Sequence, residues 1–115
     1  MAEPTAPARW SVYEVEAMRS RAVGGRAYAE FLRVPAMSAG IYRLPAEGND
    51  PQRPHQEDEL YYVIAGRAVL RVDGDDRPVS PGTIVYVAAG VPHRFHSIAE
   101  PLEVLVLFAP AETEA

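Results

Sequence analysis

The stretch RPHQEDELYYVIAG, residues Arg53 to Gly66, places one histidine and three carboxylates within five residues, immediately before an apolar segment. That segment, LYYVI, is rich in aromatic and β-branched residues and favours a strand. In a strand that begins at Glu59, alternation puts Glu59, Tyr61 and Val63 on one face and the intervening residues on the other. A solvated loop does not need a histidine and a core strand does not need acids. The stretch therefore indicates a chemical role at the point where a buried strand begins.

A helix is the alternative interpretation of the same stretch. Pro54 would be its first residue, the acidic residues would fill its first turn, and Gly66 would end it. The strand is favoured because LYYVI has the composition of a strand and a second strand-like segment, AVLRV, follows soon after Gly66.

Outward from this stretch, turn signals recur at short intervals along the chain, among them SPG from residue 80, AAGVP from 88 and AEP from 99. The segments between the turns are short and rich in Val, Ile, Leu, Tyr and Phe: RAYAEFLRV, MSAGIYRL, ELYYVIA, RAVLRV, TIVYVA, HRFHSI and LEVLVLFA. Many short strands between Gly/Pro turns predict an all-β sandwich or barrel. The Asp-Gly pair in AVLRVDGDDRPVSPG predicts a hairpin, and only SVYEVEAMRSRA is a candidate helix.

Length and composition limit the class of protein. The chain of 115 residues suffices for one domain, predicted over residues 9–110, with a disordered N-terminal tail at 1–8 and a disordered acidic tail at 111–115. A net charge of -5 without a basic stripe disfavours nucleic acid as a partner, and the absence of cysteine excludes disulfides and thiolate metal sites. No apolar run is long enough for a membrane span and no signal peptide is recognisable, so the expected location is the cytoplasm.

Histidine and acid can share a metal ion here only if the chain turns between them. On one straight strand His55 and Glu59 would lie roughly 13 Å apart, too far for bonds of about 2 Å. A turn over the polar residues 56–58 would bring them together. A second histidine, His93, follows Gly90 and a proline in GTIVYVAAGVPHRF and is predicted to begin a strand, with His96 on the opposite face.

These residues resemble the two motifs of the cupin superfamily, G(X)5HXH(X)3-4E(X)6G and G(X)5PXG(X)2H(X)3N. In the first motif Glu59 and Gly66 have the required spacing, and His55 lies where the second His of HXH belongs. In the second motif Gly82, Gly90 and His93 have the expected spacing. The resemblance spans about residues 48–97 and implies a small double-stranded β-helix (jelly-roll) barrel, with one short N-terminal helix.

The chain also departs from both motifs. Arg53 stands where the first His of HXH would be, Ala88 replaces the motif Pro, and Ser97 replaces the Asn. What remains of the metal-ligand set implied by the resemblance is His55, Glu59 and His93. Two imidazoles and a carboxylate are a legitimate site for one divalent ion, namely zinc, iron, manganese or nickel, with open positions for water or substrate.

Other residues near the motif receive weaker assignments. Glu57 and Tyr61 are the candidate catalytic residues, Glu57 as a carboxylate beside the ligands and Tyr61 as a hydroxyl on the face of Glu59. Glu57 is also the alternative carboxylate ligand for the metal, because His55-x-Glu57 imitates the HXH spacing, and a solvated turn residue is favoured over that role. Arg53 is a candidate contact for a substrate anion, and a surface arginine is an equal alternative. Candidates for the barrel interior are Tyr42, Tyr61, Val63, Val85, Val87 and Phe95.

The resemblance implies a metal-dependent enzyme acting on a small organic molecule, of dioxygenase or isomerase type, and a homodimer. The alternative is a non-catalytic module that binds a small ligand, with a structural metal or none. A sensor domain of a transcription factor is disfavoured because no helix-turn-helix segment fits in this sequence. An enzyme should keep an open metal position beside a group that transfers protons, whereas a fourth protein ligand would close a structural site.

Overall fold

Six antiparallel strands and one short helix build the fold in the computed structural model, which describes residues 9–21, 27–51 and 54–113. The elements are α1 (Val15–Arg21), β1 (Tyr28–Val34), β2 (Met37–Leu44), β3 (Asp58–Val72), β4 (Asp75–Val79), β5 (Ile84–Val87) and β6 (His93–Ala109). The strand order in the sheet is β1-β2-β6-β3-β4, and β5 pairs with β3. The predicted all-β barrel with one short N-terminal helix is confirmed.

Strands β3 and β6 are longer than predicted. The sequence predicts an interruption at Gly66 and another at the AEP turn from residue 99, but both strands run through these points. Three register shifts between Val63 and Val69 bend the β3–β6 pair instead. Gly66 has a φ of 94°, and a Cβ there would lie 2.2 Å from the carbonyl oxygen of Pro101. The predicted turns at these positions are therefore wrong, because the same residues form bulges in a continuous ribbon.

The hairpin between β3 and β4 matches its prediction. Val72 pairs with Asp75 across the two-residue turn, in which Asp73 and Gly74 have positive φ of 51° and 89°. This is the conformation for which an Asp-Gly pair is selected, because its twist matches that of the flanking strands.

The barrel interior is lined by alternate residues of the long strands. In β3 the side chains of Tyr61 and Val63 are 1% exposed, whereas their outward neighbours Leu60 and Tyr62 are 39% and 41% exposed. The predicted alternation of β3 is thereby confirmed. Of the six interior candidates, five are buried and Val85 packs half-buried against the same cluster.

Helix α1 covers part of the outer face of the sheet. Met18 packs there against Ile41, and Arg19 forms an ion pair with the buried carboxylate of Glu103. None of the helical segments described is both long and apolar enough to cross a membrane.

The C-terminal residues 111–113 lie against the barrel. The amide of Glu112 donates to the hydroxyl of Ser38, which is fully buried, and the amide of Ala111 donates to the carbonyl of Pro35. The sequence predicts a disordered tail from residue 111, and the first residues of that segment make these contacts with the barrel. Residues 1–8, 114 and 115, which belong to the predicted tails, lie outside the described residues.

Candidate metal centre

Two loops at one end of the barrel are tied together by hydrogen bonds. The amide of Gly90 donates to the carbonyl of His55 at 2.8 Å, and the amide of Ala89 donates to the carboxylate of Asp58 at 2.8 Å. The chain bends at residues 56 and 57, as predicted, so that His55 lies beside the start of β3 rather than in line with it. The segment before β3 and the segment before β6 thus bring their histidines to the same place.

The three predicted ligands converge inside the barrel. Glu59 Oε1 lies 3.1 Å from His93 Nε2 and 3.8 Å from His55 Nε2. Two atoms bound to one ion at about 2 Å can be at most about 4 Å apart, and both distances meet this limit. One ligand atom from each of the three residues lies within 4.8 Å of the others.

The buried carboxylate of Glu59 fits a cation. Its side chain is 1% exposed, and Oε2 has no hydrogen-bond partner among the described residues. Burying an ionised carboxylate is costly unless its oxygens are paired. A divalent ion would satisfy this carboxylate, and the donor set of two imidazole nitrogens and one oxygen suits zinc, iron, manganese or nickel.

His93 is held in a defined orientation. Its Nδ1 lies 2.9 Å from the carbonyl oxygen of Val91, so Nδ1 carries the proton and donates it. Its Nε2 lies 3.0 Å from the hydroxyl of Tyr61. Burial lowers the pKa of His93, but the hydrogen bonds to Glu59 and to the Val91 carbonyl outweigh it and the net pKa is raised. A proton and a metal ion therefore compete for Nε2.

A cavity of about 140 Å³ opens beside these ligands. This volume suits a small organic molecule. Its walls are mostly apolar and aromatic, and the lining residues are Tyr28, Tyr42, His55, Glu59, Tyr61, Val106, Phe108 and Glu112. The hydroxyl of Tyr28 is buried without a hydrogen-bond partner among the described residues, whereas the hydroxyl of Tyr42 donates to Asp50. The cavity thus has mostly apolar walls, with polar groups at the end formed by His55 and Glu59.

Glu112 belongs to the site although the sequence pattern gave no sign of it. Its Oε2 lies 3.2 Å from His55 Nδ1, and the residue is 9% exposed. Burial above all, and then the negative charges of Glu57, Glu59 and Glu30, raise the pKa of Glu112 to about 7. By composition, an acid in AETEA is typical of a solvated tail. Only the fold, which carries residue 112 back over the barrel mouth, reveals its position.

The remaining candidates stand apart from the ligands or outside the described residues. The expectation that Glu57 is a solvated turn residue is wrong, because Glu57 is buried. Its Oε2 accepts hydrogen bonds from the amide and hydroxyl of Thr113, at 3.1 and 2.8 Å, and it is neither a cavity-lining residue nor a member of the converging metal-binding group. Arg53, the candidate anion contact, lies outside the described residues. His96 lies 3.0 Å from Asp76 on the other face of β6, as its parity predicts.

Comparison with known proteins agrees with this architecture. A family model described as the cupin domain matches residues 40–108. An uncharacterized protein of Streptomyces coelicolor, SCO3923, is 48% identical over 100 residues, which cover 87% of this chain and 93% of that protein. Dimethylsulfoniopropionate lyase DddQ of Ruegeria pomeroyi is 30% identical over 74 residues, which cover 64% of this chain and 37% of the lyase. The crystal structure of TT1209 from Thermus thermophilus superposes with a TM-score of 0.69 at 24% identity, covering 87% of this chain and 97% of that one. The chain therefore belongs to the cupin family.

Proposed function

We propose that this cupin is a metal-dependent enzyme that holds one divalent ion with His55, Glu59 and His93 and acts on a small organic molecule in the adjoining cavity. The observation that carries the proposal is the buried Glu59 carboxylate, which faces both histidines and has one oxygen without a hydrogen-bond partner among the described residues. Without a cation this group would be costly to bury.

The number of ligands favours an enzyme over a structural site. Structural zinc sites are closed by four protein ligands, whereas catalytic sites keep positions for water or substrate. Among the described residues, the group of converging metal-binding side chains has three members. The cavity of about 140 Å³ lies against two of them, His55 and Glu59, so a small molecule can reach the open side.

Tyr61 is the protein group best placed to assist a reaction. Its hydroxyl lies 3.0 Å from His93 Nε2 and its side chain lines the cavity. It can therefore hold a substrate oxygen by a hydrogen bond, or exchange a proton with it, while the aromatic walls exclude water. A divalent ion at the ligands would supply Lewis-acid or redox chemistry. The similarity to a lyase supports a catalytic role and adds lyase chemistry to the dioxygenase and isomerase types, although the match covers 37% of that enzyme.

Metal content tests the ligand assignment. Protein purified without chelator or histidine tag should contain about one equivalent of metal by elemental mass spectrometry. His93→Ala should lose that metal, whereas His96→Ala, on the same strand but bonded to Asp76, should retain it. Circular dichroism is the control that both variants are folded. Full occupancy in His93→Ala would refute the proposed ligand set.

The open coordination position can be tested separately. Cobalt(II)-substituted protein should change its visible absorption spectrum when azide is added, because a small anion can enter a position not filled by protein. A spectrum that does not respond to azide would favour the structural-metal alternative over the enzyme.

We also propose that the chain forms a homodimer through the outer face of β3 and β5. Leu60 pairs with Tyr86 and Tyr62 pairs with Ile84 across these strands, and all four side chains are exposed by 39–63%. These four side chains are uncharged and largely apolar, with the exposed Asp58 beside them hydrogen-bonded to Tyr86. Among the described strands β5 has β3 as its only partner. A second copy suits this patch of four side chains, because two identical patches of uncharged side chains can meet despite a net charge of -5 on each chain.

A further inference from the structure

The two histidine ligands are oriented in the same way by different partners. Each ring presents Nε2 to Glu59, at 3.1 Å from His93 and 3.8 Å from His55. Each ring also has an acceptor at Nδ1. For His93 it is the carbonyl of Val91 at 2.9 Å, and for His55 it is the carboxylate of Glu112 at 3.2 Å. Both distances lie within the range of hydrogen bonds.

We infer that Glu112, as a carboxylate, positions His55 for metal binding by accepting a hydrogen bond from Nδ1–H, which leaves Nε2 unprotonated and aimed at the ion. The inference rests on the proposed function, since it assumes that His55 is a ligand. A neutral imidazole carries its proton on either nitrogen, and an acceptor at Nδ1 selects the form in which Nε2 can bind. A carboxylate in this position also fixes the orientation of the ring, as partners behind metal-binding histidines commonly do.

The segment that carries Glu112 is fixed independently of its side chain. The backbone amide of Glu112 donates to Ser38 at 2.8 Å, its carbonyl accepts from Arg33 at 2.8 Å, and Ala111 bonds to Pro35. Thr113 adds two hydrogen bonds to Glu57. A change at the Glu112 side chain therefore leaves the anchoring contacts of residues 111–113 in place, and its effect can be assigned to His55.

A role for Glu112 as a fourth ligand agrees less well with the geometry. Its carboxylate faces Nδ1 of His55, whereas the ligand group converges at Nε2. Among the described side chains, that converging group contains His55, Glu59 and His93 without Glu112.

Metal affinity is the first test. Zinc dissociation constants are measured by competition with a chromophoric chelator for wild type, Glu112→Ala, Glu112→Gln and Thr113→Val. Loss of such a partner typically weakens metal binding by about 10- to 100-fold, and that is the expected loss for Glu112→Ala. Glu112→Gln keeps an acceptor oxygen without the charge and should recover most of the affinity. Thr113→Val, which removes one bond of the segment but not the carboxylate, should bind as wild type.

The protonation of the ring is the second test, and it needs no metal. The chain has three histidines, so their ring nitrogens can be assigned by ¹⁵N NMR with His93→Ala and His96→Ala spectra. In chelator-treated wild type, His55 should carry its proton on Nδ1. In Glu112→Ala that preference should be lost, and Glu112→Gln should restore it.

The outcomes separate the two proposals. If wild type binds zinc and Glu112→Ala binds equally well, with an unchanged His55 proton, the positioning role is refuted and the ligand set stands. If wild type binds no zinc, the proposed function fails and the inference fails with it. A loss in Thr113→Val as large as in Glu112→Ala would show that the segment acts only through its anchoring, which also overturns the inference.

Discussion

Replacing Gly66 by alanine should destabilise the barrel much more than the same change at Gly82. The two glycines have the same φ of 94°, so the conformational cost of a Cβ is matched, at about 1–2 kcal/mol. They differ in their surroundings. Apart from its own chain neighbours, a Cβ at Gly82 would have no atom of the described residues within 4 Å, whereas at Gly66 it would lie 2.2 Å from the Pro101 oxygen and 2.7 Å from the Leu102 Cα.

The difference in the free energy of unfolding between Gly66→Ala and Gly82→Ala measures the cost of placing a Cβ where β3 and β6 approach closely. The three nearest atoms that a Cβ at Gly66 would meet all belong to the backbone, so the β3–β6 ribbon must move to relieve the contact and rotating a side chain would not suffice. Forcing extra atoms into a packed site costs about 1–3 kcal/mol or more. We therefore expect Gly66→Ala to be less stable than Gly82→Ala by about 2–3 kcal/mol. With an unfolding entropy of about 2.1 cal/mol/K per residue, that difference corresponds to roughly 8–12 °C in Tm.

Thermal and urea denaturation followed by circular dichroism measure this difference. Reversibility and a common m-value are required so that changes in midpoint report changes in the free energy of unfolding. If the free energies of unfolding of the two variants agree within about 0.5 kcal/mol, the close contact at residue 66 does not require a glycine, and the reasoning about Gly66 is wrong.

Two further predictions concern the core and the outer face. Asp50 accepts hydrogen bonds from the Tyr42 hydroxyl and the Phe95 amide, and Asp50→Ala leaves both of these buried donors unpaired. In urea titration the free energy of unfolding of Asp50→Ala should therefore be lower than that of Asp50→Asn by at least about 2 kcal/mol. Equal stabilities would contradict these contacts. In sedimentation equilibrium the wild type should be a dimer and Ile84→Glu a monomer. The control Val12→Glu, which changes an exposed residue of the N-terminal segment, should remain a dimer. A monomeric wild type would exclude the proposed interface.

The parts of the fold that follow local rules could be predicted from the sequence. Alternation in β3 predicted which face holds Glu59 and Tyr61, and the Asp-Gly pair predicted the hairpin. The candidate metal ligands followed from the family resemblance together with one geometric argument, that the chain must turn between His55 and Glu59. The bend at residues 56 and 57 confirms that argument.

Features that depend on distant contacts could not be predicted. A glycine with positive φ suits a turn and a bulge equally, so Gly66 alone cannot show that β3 continues past it. The difference lies in the backbone of residues 101 and 102, which approach it from β6. Glu112 was missed for the same reason. Its amide bonds to a hydroxyl 74 residues away, and an acidic, alanine-rich sequence carries no local sign of that partner.

Glu59 and His93 lie at opposite ends of the paired strands β3 and β6, and this placement makes their meeting depend on the strand register. Glu59 pairs with Phe108 near the end of β6, whereas His93 pairs with Val72 at the end of β3, yet their side chains meet across the interior. A slip of one residue in the pairing would turn Glu59 to the outer face and separate the two ligands. A metal ion would therefore bind the correctly registered barrel and not its slipped forms, and through that preference would stabilise the native pairing against its competitors. In this protein a bound metal ion would thus favour the native register of β3 and β6 over registers shifted by one residue.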